Sequence, residues 1–280
     1  MALPRVHGSL VRTAAGDGPS RVAVTAHGPI QTATLELGYP MMGEVDIADD
    51  SVVFALVLGI RNSARWDGID LRPGQVFVYP SHGLHQATDS AGMTVGMITA
   101  PMTAVQATAD QLGRPLDRVE QRVLDGRAAK LLLAVHRQAD RRADGDNIMR
   151  SLVASLTAGT ARPGRSRRAS ASRAITSSVL GYLADSDEWL PSMVTVCRIA
   201  SVSERRVETA FHDVYGIAPT VFLRHRALSE ARLRLLSAMP GETRVGTIAH
   251  DLGFHHLGRF AQQYRDAFGT LPSDTLGTRA

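Results

Sequence analysis

The 280-residue sequence contains one cysteine, Cys197, which excludes an intramolecular disulfide and any zinc site built on cysteine pairs. Aromatic residues are scarce, at 5%. No apolar run approaches the roughly 18 residues that a membrane span requires. The N-terminal stretch MALPRVHGSLVRTAAGDG also lacks the apolar core of a secretion signal, so a cytoplasmic protein with no membrane partner is expected. What is present is a globular balance, 44% hydrophobic and 21% charged. Single cores seldom grow past about 250 residues, so two domains are the starting expectation.

The net charge of +4 is unevenly placed. Residues 1–160 carry 15 basic against 16 acidic side chains, and residues 174–280 carry eleven of each. The excess lies in residues 161–173, ARPGRSRRASASR, with five arginines and no acid. This Arg/Ser-rich segment shows no apolar periodicity and reads as a flexible linker, either a solvated tether or a direct phosphate contact.

Before the linker, the first hundred or so residues read as strands. Runs such as Val22 to Thr25, Thr32 to Leu37, Val52 to Leu58 and Gln75 to Tyr79 alternate with Gly, Pro, Asp and Asn clusters. That spacing predicts an antiparallel sandwich or barrel. Between Trp66 and Pro80, WDGIDLRPGQVFVYP places turns at Asp67-Gly68 and Pro73-Gly74 and then a strand ended by proline. The unit resembles the cupin-type jelly roll, with Gln75 where an acid is usual. From about Gly113 the pattern becomes helical: Leu124, Ala128, Leu131, Leu132, Val135 and Ala139 form one apolar stripe, and Ile148, Leu152, Val153 and Leu156 begin another. These helices pack either on their own barrel or on a second copy of the chain.

The C-terminal segment is more specific. Ser192 caps a short helix that ends near Ser201, with Val194, Cys197, Ile199 and Ala200 on its apolar side. Ser203 opens a second helix, Glu204 to Tyr215, closed by Gly216, which makes a helix-turn-helix. About fifty residues later the arrangement recurs as an internal repeat. Val245 to Leu252 forms a helix, Gly253-Phe254 the turn, and His255 to Phe268 the next helix before Gly269. Both units end in matching phrases, Tyr215-Gly216-Ile217-Ala218-Pro219 and Phe268-Gly269-Thr270-Leu271-Pro272. Between them Val221 to Leu236 keeps helical spacing; about sixteen residues span roughly 24 Å, suited to holding two reading helices about one DNA turn, or 34 Å, apart.

These motifs resemble the DNA-binding domain of the AraC/XylS family of bacterial transcription regulators. The resemblance rests on Ser203, Phe211 and the Tyr215-Gly216 phrase, on Arg226-Ala227-Leu228 with Ala231-Arg232 and Leu235-Leu236, and on Ile248-Ala249, Gly253-Phe254 and Phe268-Gly269 with Pro272-Ser273. The stretch Gly253 to Phe260 is similar to a subgroup that includes ethanolamine-utilisation regulators. The resemblance implies an N-terminal cupin-like domain that senses a ligand or dimerises, and an activator whose partners are double-stranded DNA, a small-molecule effector, a second copy of the chain and RNA polymerase. The expected fold class is α+β in two domains. A cupin-like β-sandwich or barrel with trailing helices fills 1–160, a linker 161–173, and an all-α domain of two helix-turn-helix units joined by a linking helix 174–280.

Positions opposite the apolar stripe of a reading helix reach base edges. In the first unit these are Arg205 (suited to guanine), Glu208 (cytosine N4), Thr209 (a thymine methyl) and His212. The family often has arginine where Thr209 stands, and Glu208 has an alternative as a surface partner of Arg205 or Arg224. In the second unit they are His255, His256, Arg259 and Gln262, the last suited to adenine. Phosphate contacts are assigned to Arg206, Arg224, Arg226, Arg244 and Arg265, with Ser203 and Thr247 at helix starts.

In the first half, Trp66, Tyr79, His82 and His85 are candidates for a ligand pocket. With His27 and Glu36 as the other nearby candidates and no cupin ligand spacing, no metal, cofactor or catalytic residue is expected. Cys197, on an apolar helix side, reads as a small hydrophobe. The rival function class is a cupin-type metal enzyme or small-molecule binding protein with an appended DNA-binding module.

Overall fold

The computed structural model describes residues 2–3, 6–16, 18–48, 50–61, 64–80, 85–89, 91–116, 119–142, 144–158, 161–163, 167–238 and 243–277. The strands are β1 (Ala2–Leu3), β2 (Val6–Arg12), β3 (Arg21–His27), β4 (Ile30–Leu37), β5 (Met41–Ile47), β6 (Ser51–Gly59), β7 (Arg65–Trp66), β8 (Ile69–Asp70), β9 (Val76–Pro80), β10 (His85–Asp89), β11 (Met93–Pro101), β12 (Arg122–Leu124) and β13 (Ala161–Pro163). They form two sheets, ordered β1-β2-β5-β10-β7-β8 and β13-β12-β9-β6-β11-β4-β3.

The pleat of β6 explains how the layers stack. Val53, Ala55 and Val57 point between the sheets and join Met41, Val45, Trp66, Phe77 and Tyr79 in one core. Val52, Phe54 and Leu56 point the other way, into a second core covered by helices. A strand buried on both faces therefore reads as an unbroken apolar run. The Asp67-Gly68 turn expected between β7 and β8 is present with positive φ at both residues, 49° and 77°, as a tight hairpin requires.

Helices α1 (Met102–Gln111), α2 (Gly126–Arg142) and α3 (Gly145–Thr157) cover the seven-stranded sheet. Helix begins earlier than the expected position 113, and Leu124 belongs to β12, where it pairs with Val76, instead of opening the α2 stripe. Gly126, at φ 59°, separates the two elements. Ala128, Leu132, Val135 and Ala139 are spent in the chain's own core, while Leu131 stays 38% exposed.

The expected tether is also ordered differently. Ala161–Pro163 pairs with β12, and Arg167–Asp185 is helix α4. The buried side of α4 runs through Arg173, Thr176, Val179 and Leu183, so its first half buries polar groups where an apolar stripe was sought. Alanine and arginine are good helix formers, which suits the segment to this state once those polar groups find partners.

The remaining helices are α5 (Met193–Ala200), α6 (Glu204–Tyr215), α7 (Pro219–Ser237), α8 (Val245–Asp251), α9 (Leu257–Phe268) and α10 (Pro272–Gly277). The Ser192 side chain accepts from Thr195 N at 3.1 Å, the expected cap of α5. Ser203 has extended N-cap geometry without a side-chain bond. Helix α9 starts at Leu257, not at His255, because His256 is extended (φ −119°, ψ 94°). Gly216 and Gly269 close α6 and α9 in the same left-handed conformation, φ 74°. Helix α7, 19 residues long, spans about 28 Å. Its Phe222 and Leu223 enter the core of the α5–α6 pair, and its Ala227, Leu228, Ala231 and Leu235 enter that of the α8–α9 pair. The former core continues into Val11 and Met42 of the sandwich.

Candidate nucleic-acid interface

Amphipathic spacing separates two faces on α6. Val207, Ala210, Phe211 and Val214 are buried, and Arg205, Glu208, Thr209 and His212 are exposed. The Thr209 hydroxyl donates to Arg205 O at 2.8 Å, which leaves its methyl as the free part of the side chain. On α9, Phe260, Tyr264, Ala267 and Phe268 are buried, while Arg259 and Gln262 are exposed, as are His255 and His256 in the preceding turn. Gln262 is engaged at both ends of its amide: Nε2 donates to Asp266 Oδ1 at 2.8 Å and Oε1 accepts from Arg265 Nη2 at 3.0 Å. Ser203, Arg206, Arg224, Arg244, Thr247 and Arg265 are exposed.

Arg226, expected on the phosphate side, turns inward. Its Nη2 donates to Leu183 O at the end of α4, and its guanidinium lies 4.1 Å from the Trp189 ring centroid. Burial lowers its pKa, partly offset by Glu230. Leu223 and Ala227 beside it are buried, so that face of α7 pins the α4–α5 loop.

Residues 196–278, which include both helix pairs but for the first turn of α5, match the helix-turn-helix domain family. A stretch of 101 residues is 37% identical to the XylDLEGF operon transcriptional activator 3 of Pseudomonas putida, covering 36% of this chain and 30% of that protein. The probable thc operon regulatory protein of Rhodococcus erythropolis is 37% identical over 87 residues, covering 31% of this chain and 26% of that protein. The matched residues, 196–278, are an AraC/XylS-type DNA-binding domain. The chain matches less than a third of the length of these curated relatives. Among solved structures, a probable AraC family transcriptional regulator from Rhodopseudomonas palustris is 30% identical, with 40% of this chain and 99% of that chain covered, at a TM-score of 0.33.

The AraC/XylS-type domain is held by the sandwich at the C-terminal ends of both exposed-face helices, through residues the sequence reading did not single out. At α6, Arg65 Nη1 donates to His212 O at 2.9 Å and Asp213 O at 3.3 Å, while Arg65 Nε is fixed by Asp70 at 3.0 Å. Ser172 donates to the Asp213 carboxylate at 2.9 Å, and Thr88 donates to Tyr215 O at 3.4 Å. His212 O also accepts from Gly216 N at 3.1 Å, so the Arg65 guanidinium adds a second donor there and complements the negative end of the helix dipole. Gly68 has positive φ, and a Cβ there would meet Asp213 O at 3.1 Å, so both backbone conformation and space favour glycine. At α9, Ala15 N donates to Asp266 O at 3.0 Å, and Arg12 lies over the rings of Tyr39 at 4.4 Å and Phe268 at 5.7 Å.

Behind Arg65 sits Asp67, fully buried. Its carboxylate accepts from His85 Nδ1 at 2.9 Å, Gln86 N at 3.0 Å and Gln121 Nε2 at 2.7 Å, and pairs with Arg173 Nε at 3.2 Å. Burial alone would raise its pKa, but the bonds and charges of His85, Arg173 and Gln86 outweigh it, and the net shift is downward. Gln86 Nε2 reaches Thr176 Oγ1 of α4 at 2.7 Å. The local signal for this node was limited to the Asp67-Gly68 turn, since its partners lie far apart in sequence.

Of the pocket candidates, Trp66, Tyr79 and His85 are brought together, with ring centroids 5.1 Å apart for Trp66 and Tyr79 and 4.4 Å for Tyr79 and His85. All three are buried, and His85 is committed to Asp67. His82 lies outside the described residues. Among the described residues no group of three or more His, Cys, Asp or Glu converges for a metal, and no helix is long and apolar enough to cross a membrane. Cys197 is half-buried against the α5–α6 core.

Proposed function

We propose that the chain is a sequence-specific transcription regulator, an activator, in which α5–α6 and α8–α9 are two helix-turn-helix units reading successive major-groove segments. The observation that carries this reading is the pair of exposed faces, Arg205/Glu208/Thr209/His212 and His255/His256/Arg259/Gln262, joined through one continuous helix within a matched DNA-binding domain. Arg206, Arg224, Arg244 and Arg265, with Ser203 and Thr247, supply phosphate contacts around them.

Equal numbers of acids and bases in residues 174–280 do not oppose this, because binding depends on where the charges face. Asp213 turns toward Ser172, and Glu230 pairs with Arg234 at 2.8 Å. The cupin-like sandwich is the sensing half. It takes a small-molecule effector and conveys its state through the contacts at α6 and α9; a second copy of the chain and RNA polymerase are the remaining partners. The name of the Pseudomonas putida relative, an operon transcriptional activator, supports activation over repression.

Selection of bound sequences from random duplex DNA by the full chain tests the reading. Enriched sites should contain two conserved segments about one helical turn, or 34 Å, apart. Retention of DNA without sequence enrichment would refute it.

A further inference from the structure

We propose that Asp266 is a positioning residue for base reading: it fixes which way round the Gln262 amide faces the groove, and so which strand's adenine is read. This rests on the reading of Gln262 as a base contact and names what makes that contact selective.

Gln262, Arg265 and Asp266 are spaced three and four residues apart on α9, so they share one face of it, and all three are exposed. Gln262 Nε2 donates to Asp266 Oδ1 at 2.8 Å, and Gln262 Oε1 accepts from Arg265 Nη2 at 3.0 Å. An ionised carboxylate only accepts and a guanidinium only donates. Turning the amide over sets oxygen against oxygen and N–H against N–H, so its orientation is defined.

A carboxamide has two N–H groups and two acceptor lone pairs. One of each is engaged by a partner one turn further along the same helix, and the other N–H and lone pair have no partner among the described residues. What remains is one donor beside one acceptor, the pattern that matches N7 and N6 of adenine in the major groove. Turned over, the amide offers the two groups in reverse order and fits an adenine on the opposite strand, so T·A replaces A·T. An amide free to turn accepts both.

On DNA the holding falls to Asp266. Arg265 is placed to contact phosphate, which competes for its guanidinium, whereas the phosphate backbone repels a carboxylate and leaves it with Gln262. Asp266 is poorly placed to serve the helix itself, since an acid in the last turn of α9 opposes the helix dipole. Its backbone carbonyl accepts from Ala15 N at 3.0 Å, so the sandwich holds the residue that holds the reader.

Selection from random duplex DNA by the full chain and by Gln262→Ala identifies the position read, which the substitution should flatten. Competition between two duplexes differing only as A·T or T·A at that position then tests Asp266. Asp266→Ala should reduce the preference for A·T by about twofold, the scale of an exposed side-chain hydrogen bond between residues four apart on a helix. Asp266→Asn, which keeps an accepting oxygen, should retain more of the preference than alanine. In the Gln262→Ala background Asp266→Ala should change nothing at that position. Affinity for random DNA should be unchanged or higher, since an acid near the phosphates is lost and alanine suits the helix; a purely structural role would weaken all sequences alike. An unaltered preference in Asp266→Ala, uniform weakening across sequences, or as large a loss with asparagine as with alanine would overturn the proposal. Failure of the Gln262 reading shows separately, as no position flattened by Gln262→Ala, and overturns the proposal with it.

Discussion

Asp67→Asn should destabilise the chain by about 3 kcal/mol at neutral pH. The substitution preserves shape and removes one charge from a site that is 0% exposed. Removing one partner of a buried ion pair costs about 3–5 kcal/mol, because the other charge stays desolvated; that charge is Arg173, only 9% exposed. The asparagine oxygen still accepts from one donor, such as Gln86 N, which places the loss at the low end of that range. Its NH2 group faces donors from His85, Gln121 or Arg173, so at least one buried donor loses its acceptor. Asp67 also has φ 49°, a conformation asparagine tolerates but alanine does not, so Asp67→Ala should lose a further 1–2 kcal/mol or so.

The pH dependence has a definite sign. A carboxylate whose folded pKa is depressed contributes stability that is present above its unfolded value, about 3.9, and is lost as pH falls through the lower folded value. The gap between the native chain and Asp67→Asn should therefore be full at pH 7 and narrow below about pH 4. Urea unfolding followed by tryptophan fluorescence measures it, since Trp66 adjoins Asp67 and Trp189 sits against α7. A gap under about 1 kcal/mol at pH 7, or one that stays constant down to pH 3, would refute the assignment of Asp67 as an ionised buried node.

Three further expectations are independent of this one. Arg65→Ala should cost about 1 kcal/mol, a charged hydrogen bond discounted for partial exposure, and should speed amide exchange in the last turn of α6; unchanged exchange there would show that the contact holds nothing. Arg259→Ala or Gln262→Ala should lower discrimination at one base pair by about 1–3 kcal/mol, whereas Arg265→Ala should weaken specific and random DNA alike; equal losses for all three in competition binding would disprove the division of roles. Leu132→Ala, in the core under α2, should cost about 2–5 kcal/mol and Leu131→Ala well under 1, and similar unfolding midpoints for the two would mean the stripe does not pack as described.

The C-terminal helices were legible because each carries its own evidence: a serine at the cap of α5, apolar residues at three- and four-residue spacing, a glycine at the end of α6 and again of α9. The displacement of the α9 start to Leu257 was not legible, since the extended conformation of His256 leaves no mark in a pattern of residue types. Strands β3, β4, β6 and β9 were equally plain, their apolar runs bounded by turn residues. The first seven residues of helix α4, 167–173, were read as tether because its buried side there carries Arg173, and burial of such a group makes sense only once Asp67 stands opposite. Arg226 was assigned to phosphate by the same kind of gap: nothing local tells an outward arginine from one lying over Trp189.

By itself, then, the sequence determined the periodic and local features, namely which segments are helix or strand, where most of them stop, and which side chains α6 and α9 expose; on α5, Val194, expected on the apolar side, is 79% exposed and Val196 is buried in its place. These follow from backbone sterics, capping and hydrophobic spacing, all of which act within a few residues. The tertiary structure alone decided which polar side chains face inward and what joins the two halves. The joint is made by Arg65 on the α6 carbonyls, Ala15 on α9 and Asp67 beneath Arg173 and His85, contacts between residues up to about 250 positions apart. Their energy arises from desolvation and hydrogen bonding between surfaces that exist only after each half has folded, which is why no local pattern announces them.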